Sequence, residues 1–153
     1  MDNQEVIGVQ RDQVADVWQH VAPMLARALE KNGDRVTLKC IREALDKEEM
    51  QLFIVVAQGR LLAACVTDLF TYPNGEKSLH IAFLAGSRMA KWLQFIRGLE
   101  GWAIEKGCVE LCFEGRAGWE RATRDPETKT PRYEEIGRMF SRRLIPPREM
   151  PNG

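Results

Sequence analysis

Apolar residues change their spacing several times along the chain, and each change predicts a new element. They recur every three or four positions at Arg11–Leu29, Val36–Leu45 and Arg88–Lys106, which predicts three helices. We expect Pro23 to kink the first helix or to split it in two, because proline removes a backbone donor. Thr37 is the expected N-cap of the second helix. The expected buried face of the third helix consists of Trp92, Leu93, Ile96 and Leu99.

Strand patterns lie between and after these helices. Runs rich in β-branched and aromatic residues predict strands at Glu5–Val9, Gln51–Gln58, Leu61–Phe70, Lys77–Leu84, Cys108–Glu114 and Tyr133–Leu144. Gly59 and Arg60 separate the second and third strands and predict a hairpin there. Three consecutive strands followed by a helical crossover to a further strand predict a mixed α+β domain. We expect one central sheet with helices on both of its faces.

Length and composition predict one domain of ordinary globular character. The chain has 153 residues, and we expect a single domain over residues 1–144 with a proline-rich extension over residues 145–153. Its longest apolar runs, Leu52–Ala57 and Leu61–Val66, are far short of the roughly 20 residues that span a membrane. The polar start of the chain argues against a secretory signal. We therefore expect a protein that is not secreted by a signal peptide, and a membrane is not an expected partner.

Charge is balanced overall but unevenly distributed. The 22 basic and 22 acidic side chains cancel, which argues against nucleic acid as a partner. The net charge is −3 over residues 1–50, zero over residues 51–115 and +3 over residues 116–153. This gradient has two interpretations, an ordinary solvated surface and a surface that favours head-to-tail contacts or an acidic partner.

The cysteines and histidines predict neither a disulfide framework nor a metal site. The four cysteines include no CxxC pair, and only His20 and His80 are present to complete a metal site. Cys108 and Cys112 flank a strand-like segment and are interpreted as buried thiols in a reducing compartment.

Several strand residues are candidates for a general base, although the pattern assigns a catalytic role to none of them. They are Asp68, His80, Glu110 and Glu114. His80 lies between Leu79 and Ile81 and should face away from both. Glu110 and Glu114 should share a strand face with Cys112, and that face is either a polar cleft or an ordinary solvated surface.

The order of elements resembles that of the GNAT superfamily of acyl-CoA-dependent N-acetyltransferases over nearly the whole chain. The segment GWAIEKGCVELCFEGRAGW, residues 101–119, further resembles acetyltransferase-like proteins encoded among the structural genes of tailed phages and prophages. Members of the superfamily hold the CoA pyrophosphate in a glycine-rich loop between the fourth strand and the long helix. They commonly place a tyrosine after the following strand, where it protonates the departing thiolate.

Two features of this chain depart from the pattern that the resemblance implies. The segment Leu84–Lys91 contains one glycine, so Gly86, Ser87 and Arg88 are the candidate cofactor-binding residues only if CoA binds; otherwise Ser87 is an N-cap. No tyrosine follows the fifth strand before Tyr133, whose expected role is packing or a cross-strand pair. The missing second glycine leads us to expect weak or absent binding of acetyl-CoA, because too few backbone N–H groups converge on two phosphates.

The resemblance and its departures together predict a non-catalytic GNAT-fold protein of a tailed phage or prophage. In this hypothesis it is a virion component or assembly factor, located in the host cytoplasm or the virion, and it needs no cofactor. The alternative is an active acetyl-CoA-dependent N-acetyltransferase with a non-standard CoA loop, so whether the chain is an enzyme stays open.

The end of the chain is the predicted region of association, with itself or with phage structural proteins. Its prolines favour an extended arm and its arginines are basic, whereas the N-terminal third is acidic. A frayed tail is the alternative. The candidate interface residues are Arg116, Trp119, Arg138, Arg142, Arg143, Pro146 and Pro147.

Overall fold

A five-stranded mixed sheet forms the centre of the protein in a computed structural model that describes residues 4–30, 35–86, 92–114, 123–137 and 140–145. The strands are β1 (Gln4–Val9), β2 (Met50–Ala57), β3 (Arg60–Thr71), β4 (Lys77–Gly86) and β5 (Cys108–Phe113). They lie side by side in sequence order. Adjacent strands from β1 to β4 are antiparallel, and β5 is parallel to β4. The protein is therefore α+β, as predicted.

Three helices cover the sheet, namely α1 (Val14–Leu29), α2 (Leu38–Asp46) and α3 (Trp92–Glu105). Thr37 caps α2 as predicted, since its hydroxyl oxygen accepts a hydrogen bond from the Cys40 amide at 3.2 Å. Pro23 lies inside α1 and does not split it. Its side chain is exposed, and the buried residues on the opposite stripe of α1 hold the helix against the sheet on both sides of the proline.

The helices divide between the two faces of the sheet, as the element order predicts. On the first face, α1 and α2 pack over Leu52, Ile54, Ala64, Val66 and Ala85. On the second face, α3 packs over Phe53, Val55, Ala63, Cys65 and Ile81 through Phe95, Ile96 and Leu99. Ile96 and Leu99 are fully buried and Leu93 partly so, as predicted for this helix, whereas nothing is described of the Trp92 side chain.

The hairpin turn between β2 and β3 consists of Gln58 and Gly59 rather than Gly59 and Arg60. Both turn residues have positive φ, 52° and 75°, which is the backbone of a type I′ turn. Arg60 is already the first residue of β3 and pairs with Ala57.

The predicted strand Tyr133–Leu144 is wrong for the single chain. Residues 133–137 and 140–144 contain no strand in the structure, and most of their side chains are exposed. A strand needs a hydrogen-bonded neighbour, and no strand lies beside this segment in the described part of the chain. The predicted loop at Arg124–Pro131 is observed as turns and exposed coil, with Asp125 partly buried.

No described helix has the length and apolar character that crossing a membrane requires.

Candidate functional site

A separation between β4 and β5 is the main irregularity of the sheet. β4 pairs with β5 only from Lys77 to Ile81. Beyond that point β4 continues to Gly86 with β3 as its neighbour. Within the described residues, the side of β4 that faces β5 therefore has no strand partner over Ala82–Gly86. Unpaired strand edges present backbone donors and acceptors that an extended, amide-containing ligand can use.

A β-bulge lies where this separation begins. Thr67 of β3 pairs with Ile81, and the preceding Val66 pairs with Phe83, so Ala82 is an extra residue on β4. A bulge leaves the extra residue out of the ladder and bends its strand. The bend and the separation from β5 thus begin at the same residue.

Gly86 ends β4 at a position that only glycine fits. Its φ is +143°, and a Cβ there would lie 2.5 Å from the carbonyl oxygen of Leu62 and 2.8 Å from the Cα of Ala63. Close approach of two backbones therefore explains this glycine without a ligand. Ser87 and Arg88, the other candidate cofactor-binding residues, lie outside the described residues.

Polar side chains cover the part of the first sheet face that lies beyond its apolar core. We call this group the polar patch; its members are Asp68, Tyr72, Ser78, His80, Glu110 and Cys112. His80 faces away from Leu79 and Ile81, as predicted, and its Nδ1 lies 3.1 Å from Asp68 Oδ1. The two side chains are 34% and 38% exposed, so both are accessible to a ligand.

The second half of the polar patch is a hydrogen-bond network around Glu110. Its Oε1 accepts hydrogen bonds from the Ser78 hydroxyl at 2.6 Å and from the Tyr72 hydroxyl at 3.0 Å. The bond to Glu110 raises the pKa of the Tyr72 phenol, because it stabilises the protonated form. Two neutral donors thus hold this carboxylate in one position.

Cys112 joins the two halves of the patch. Its Cα is the register partner of His80, and its sulfur lies 3.5 Å from the Ser78 hydroxyl. Desolvation raises the pKa of the Cys112 thiol, an effect that the Ser78 contact reduces and the neighbouring carboxylates reinforce. The thiol is therefore protonated at neutral pH, which disfavours a role as nucleophile.

The face that Glu110 and Cys112 were expected to share is thus a polar cluster with Asp68 and His80. Glu114 is exposed just after the end of β5, and its charge is one of those that raise the pKa of the Cys112 thiol. Sequence reasoning missed Tyr72 and Ser78. Tyr72 was interpreted only as part of the turn at Tyr72–Gly75. Ser78 precedes His80 by two positions in the same strand, and this spacing, which places both side chains on one strand face, could have indicated it.

Tyr133 lies on the opposite face of the sheet. Its ring packs against Phe113 with centroids 5.0 Å apart, and its hydroxyl donates to Glu100 Oε2 at 2.7 Å. Burial and the glutamate raise the pKa of the Tyr133 phenol. Its role is packing, as predicted.

Those of the remaining sequence-predicted residues that the structure describes are not brought to the patch. Arg142 and Arg143 are exposed and lie in neither a helix nor a strand. Arg116, Trp119, Arg138, Pro146 and Pro147 lie outside the described residues. In the described part of the chain, no three His, Cys, Asp or Glu side chains are arranged to hold a metal ion. Cys65 and Cys108 are buried, Cys112 is half-buried and Cys40 is exposed, all as free thiols.

The five-stranded mixed sheet with its helices matches the fold of acetyltransferases of the GNAT type. An aminoglycoside acetyltransferase from an uncultured soil metagenomic sample, solved with trehalose, superposes with a TM-score of 0.65 at 14% identity, over 93% of this chain and 97% of that one. An aminoglycoside N-acetyltransferase in complex with CoA gives 0.63 at 13% identity, over 95% and 97%.

A ribosomal-protein-alanine N-acetyltransferase from Brucella melitensis gives a TM-score of 0.59 at 15% identity, over 94% of this chain and 99% of that one. No family model matches the chain, and no curated protein matches it. At these identities the likeness shows the fold. Two of these neighbours are named for aminoglycosides and one for a ribosomal protein as the acceptor of the acetyl group. The fold therefore does not identify the acceptor of this chain.

These comparisons overturn the expectation of a non-catalytic phage or prophage protein. The similar structures include aminoglycoside acetyltransferases and a complex with CoA, and they support the alternative of an acetyl-CoA-dependent enzyme. The resemblance of residues 101–119 to phage proteins gains no support from them. The described part of that segment holds the end of α3, the turn at Gly107 and β5, which are features that many folds use, so it was a weak guide to function.

Proposed function

We propose that the protein is an N-acetyltransferase that transfers the acetyl group of acetyl-CoA to a cationic amine. The observation that carries the proposal is the opening between β4 and β5 at Ala82, which adjoins the polar patch. Acetyl-CoA supplies the acetyl group as an activated thioester.

The backbone of β4 from Ala82 to Gly86 is the proposed binding edge for the amide-containing arm of acetyl-CoA. This edge fits such a group, because its outward N–H and C=O groups meet no strand in the described part of the chain. The expectation of weak binding rested on residues 86–91, of which only Gly86 is described. It did not weigh the strand edge, which supports binding.

The polar patch is the proposed site of the acceptor amine. Asp68 and Glu110 place two carboxylates on it, which attract a protonated amine and orient it. An ammonium group must lose a proton before its nitrogen can attack a carbonyl carbon, so the reaction needs a base.

His80 is the proposed general base. Its Nδ1 faces Asp68, which leaves Nε2 as the nitrogen that accepts the proton. Asp68 fixes the orientation of the ring and stabilises the imidazolium that forms. The side chain stands two residues before the bulge, on the same strand as the proposed binding edge.

Two measurements test the proposal with the purified full chain. We expect titration calorimetry to show micromolar binding of acetyl-CoA, and release of free CoA thiol to depend on an added polyamine or aminoglycoside. Absence of both heat and thiol release across a panel of primary amines would overturn the proposal.

His80→Gln tests the assignment of the base. We expect kcat to fall by about 10²–10⁴-fold, the usual contribution of a general base, with acetyl-CoA affinity unchanged. His20→Gln is the matched control, because His20 is exposed on α1 and lies outside the patch. Equal activity of the two variants would remove His80 from this role.

A further inference from the structure

The polar patch has an aromatic side that the proposed reaction does not use. Phe70 lies two residues after Asp68 on β3, so both side chains point to the same sheet face. Its ring packs edge-to-face with the ring of Tyr72, and the two centroids are 4.9 Å apart. Phe70 is nevertheless 53% exposed. A half-exposed aromatic ring attracts a cation to its face.

The carboxylate of Glu110 lies beside this pair of rings. The Tyr72 hydroxyl donates to it at 3.0 Å and the Ser78 hydroxyl at 2.6 Å. Both donors are neutral, and no ion pair within the described residues includes Glu110. A negative charge held by neutral donors next to an aromatic ring is matched by a protonated amine.

The strand register sets the separation between Glu110 and the proposed base. Ser78 of β4 is the partner of Glu110, and His80 follows Ser78 by two residues on the same face. Two strand residues advance about 6.6 Å and neighbouring strands lie about 4.8 Å apart, so the Cα atoms of His80 and Glu110 are separated by roughly 8 Å. The two side chains can therefore contact two different positions of one ligand.

We infer that the acceptor is a linear diamine or polyamine whose second ammonium group binds Glu110 beside Phe70 while the reacting amine lies at His80. An extended chain advances about 1.2 Å per bond, so about four to six methylene groups hold two nitrogens roughly 6–8 Å apart. The inference rests on the proposed acetyl transfer, because that proposal defines the reacting end at His80.

The surface between the two positions suits an alkyl chain. Ser78 and Cys112 occupy the other two corners of the rectangle that His80 and Glu110 complete, and their oxygen and sulfur atoms lie 3.5 Å apart. Both side chains are small, and a protonated thiol behaves as a weakly polar, largely apolar group. A chain of methylene groups can therefore cross this surface without removing a charged group from water.

A series of amines tests the inference by calorimetric titration of the full chain, alone and with an excess of CoA. The series consists of linear diamines of increasing length and butylamine, the matched monoamine. We expect the affinity to peak at about four to six methylene groups and to exceed that of butylamine by about tenfold, because the second ammonium adds a charged hydrogen bond. Equal affinities of butylamine and the four-carbon diamine, or no optimum of length, would overturn the inference.

Release of CoA thiol with the same amines separates this inference from the proposed function. Equal kcat/KM for butylamine and the four-carbon diamine would overturn the inference and leave acetyl transfer intact. A length optimum in binding without thiol release from any amine would overturn acetyl transfer and retain the diamine site.

Glu110→Gln tests the second anionic position. The variant keeps an oxygen that accepts from Ser78 and Tyr72 but removes the charge. The preference for the diamine, as the ratio of its kcat/KM to that of butylamine, should fall about tenfold, mainly through the KM of the diamine. Glu105→Gln is the matched control, because Glu105 is exposed on α3, which covers the opposite sheet face. An unchanged preference in Glu110→Gln, or an equal loss in both variants, would remove Glu110 from this role.

Phe70→Leu tests the aromatic side of the site. The affinity for the four-carbon diamine should fall about two- to fivefold, as expected for loss of an exposed cation–π contact. Butylamine should bind with less change, because its only ammonium group lies at His80. An equal loss for the two amines would contradict the placement of the second ammonium beside Phe70.

Discussion

The two faces of the central sheet come from the same strands but meet different surroundings. On the α3 face, the helix buries Phe53, Cys65 and Ile81 under Phe95 and its neighbours. On the other face, α1 and α2 cover the apolar half, and the polar patch begins where their described contacts end. Helix cover, rather than strand identity, therefore separates the residues that stabilise this protein from those available to a ligand. Matched substitutions on the two faces test this difference in role.

The largest expected difference is in the free energy of unfolding. Ile96→Ala truncates a fully buried side chain under the sheet and should lower the free energy of unfolding by about 2–5 kcal/mol. His80→Gln on the patch should lower the free energy of unfolding by less than about 1 kcal/mol, because it removes one partly exposed hydrogen bond to Asp68. Urea unfolding measures both. Similar losses for the two variants would mean that the patch belongs to the core.

The two tyrosine–glutamate pairs give the next contrast. Tyr133→Phe deletes a hydrogen bond to Glu100 from a half-buried phenol and should cost about 1–2 kcal/mol, since bonds to charged groups are stronger than neutral ones. Tyr72→Phe deletes the corresponding bond to Glu110 on the patch and should cost less stability. Its expected effect is on the Michaelis constant for the amine. A larger stability loss for Tyr72→Phe would contradict the comparison.

The smallest expected difference is in the pH dependence of stability, and it concerns two thiols. Burial raises the pKa of the Cys65 thiol well above its ordinary value of 9.0, so the folded state retains a proton that the unfolded state loses. Stability is therefore fully present below pH 9 and falls above it, by at most about 1.4 kcal/mol per pH unit.

Urea unfolding between pH 8 and 10 measures this loss of stability with rising pH. Cys65→Ala should make the free energy of unfolding less dependent on pH in this range, whereas Cys112→Ala should leave most of the dependence in place. Cys112 is the matched control because its thiol is less buried and its pKa is raised in the same direction. Identical slopes in Cys65→Ala and the unchanged protein would show that the Cys65 thiol is not the source.

The elements that pack against each other are the ones that the sequence predicts well. Burial against the sheet produces the periodicity of α1 and α2 and the apolar runs of β2 and β3. The predicted bounds of these four elements therefore agree with the observed ones to within a few residues. The predicted strand Tyr133–Leu144 was wrong because a mixture of apolar and charged residues also occurs on exposed segments, and no strand lies beside it in the described part of the chain.

The patch was only partly predictable. His80 and Glu110 stand out as charged or titratable residues on apolar strands, and their faces follow from alternation. Their assembly depends on the parallel register of β4 and β5, which pairs Ser78 with Glu110 and His80 with Cys112. That register arises from a crossover through α3, and no local pattern encodes it.

The bulge at Ala82 has a consequence for the numbering of β4. Before it, even-numbered Ser78 and His80 point to the first sheet face; after it, odd-numbered Phe83 and Ala85 point there. One additional residue thus changes the parity of the strand, so that a polar half and an apolar half share one surface. In a chain one residue shorter, the same side chains would divide between opposite surfaces, and the imidazole would point towards α3.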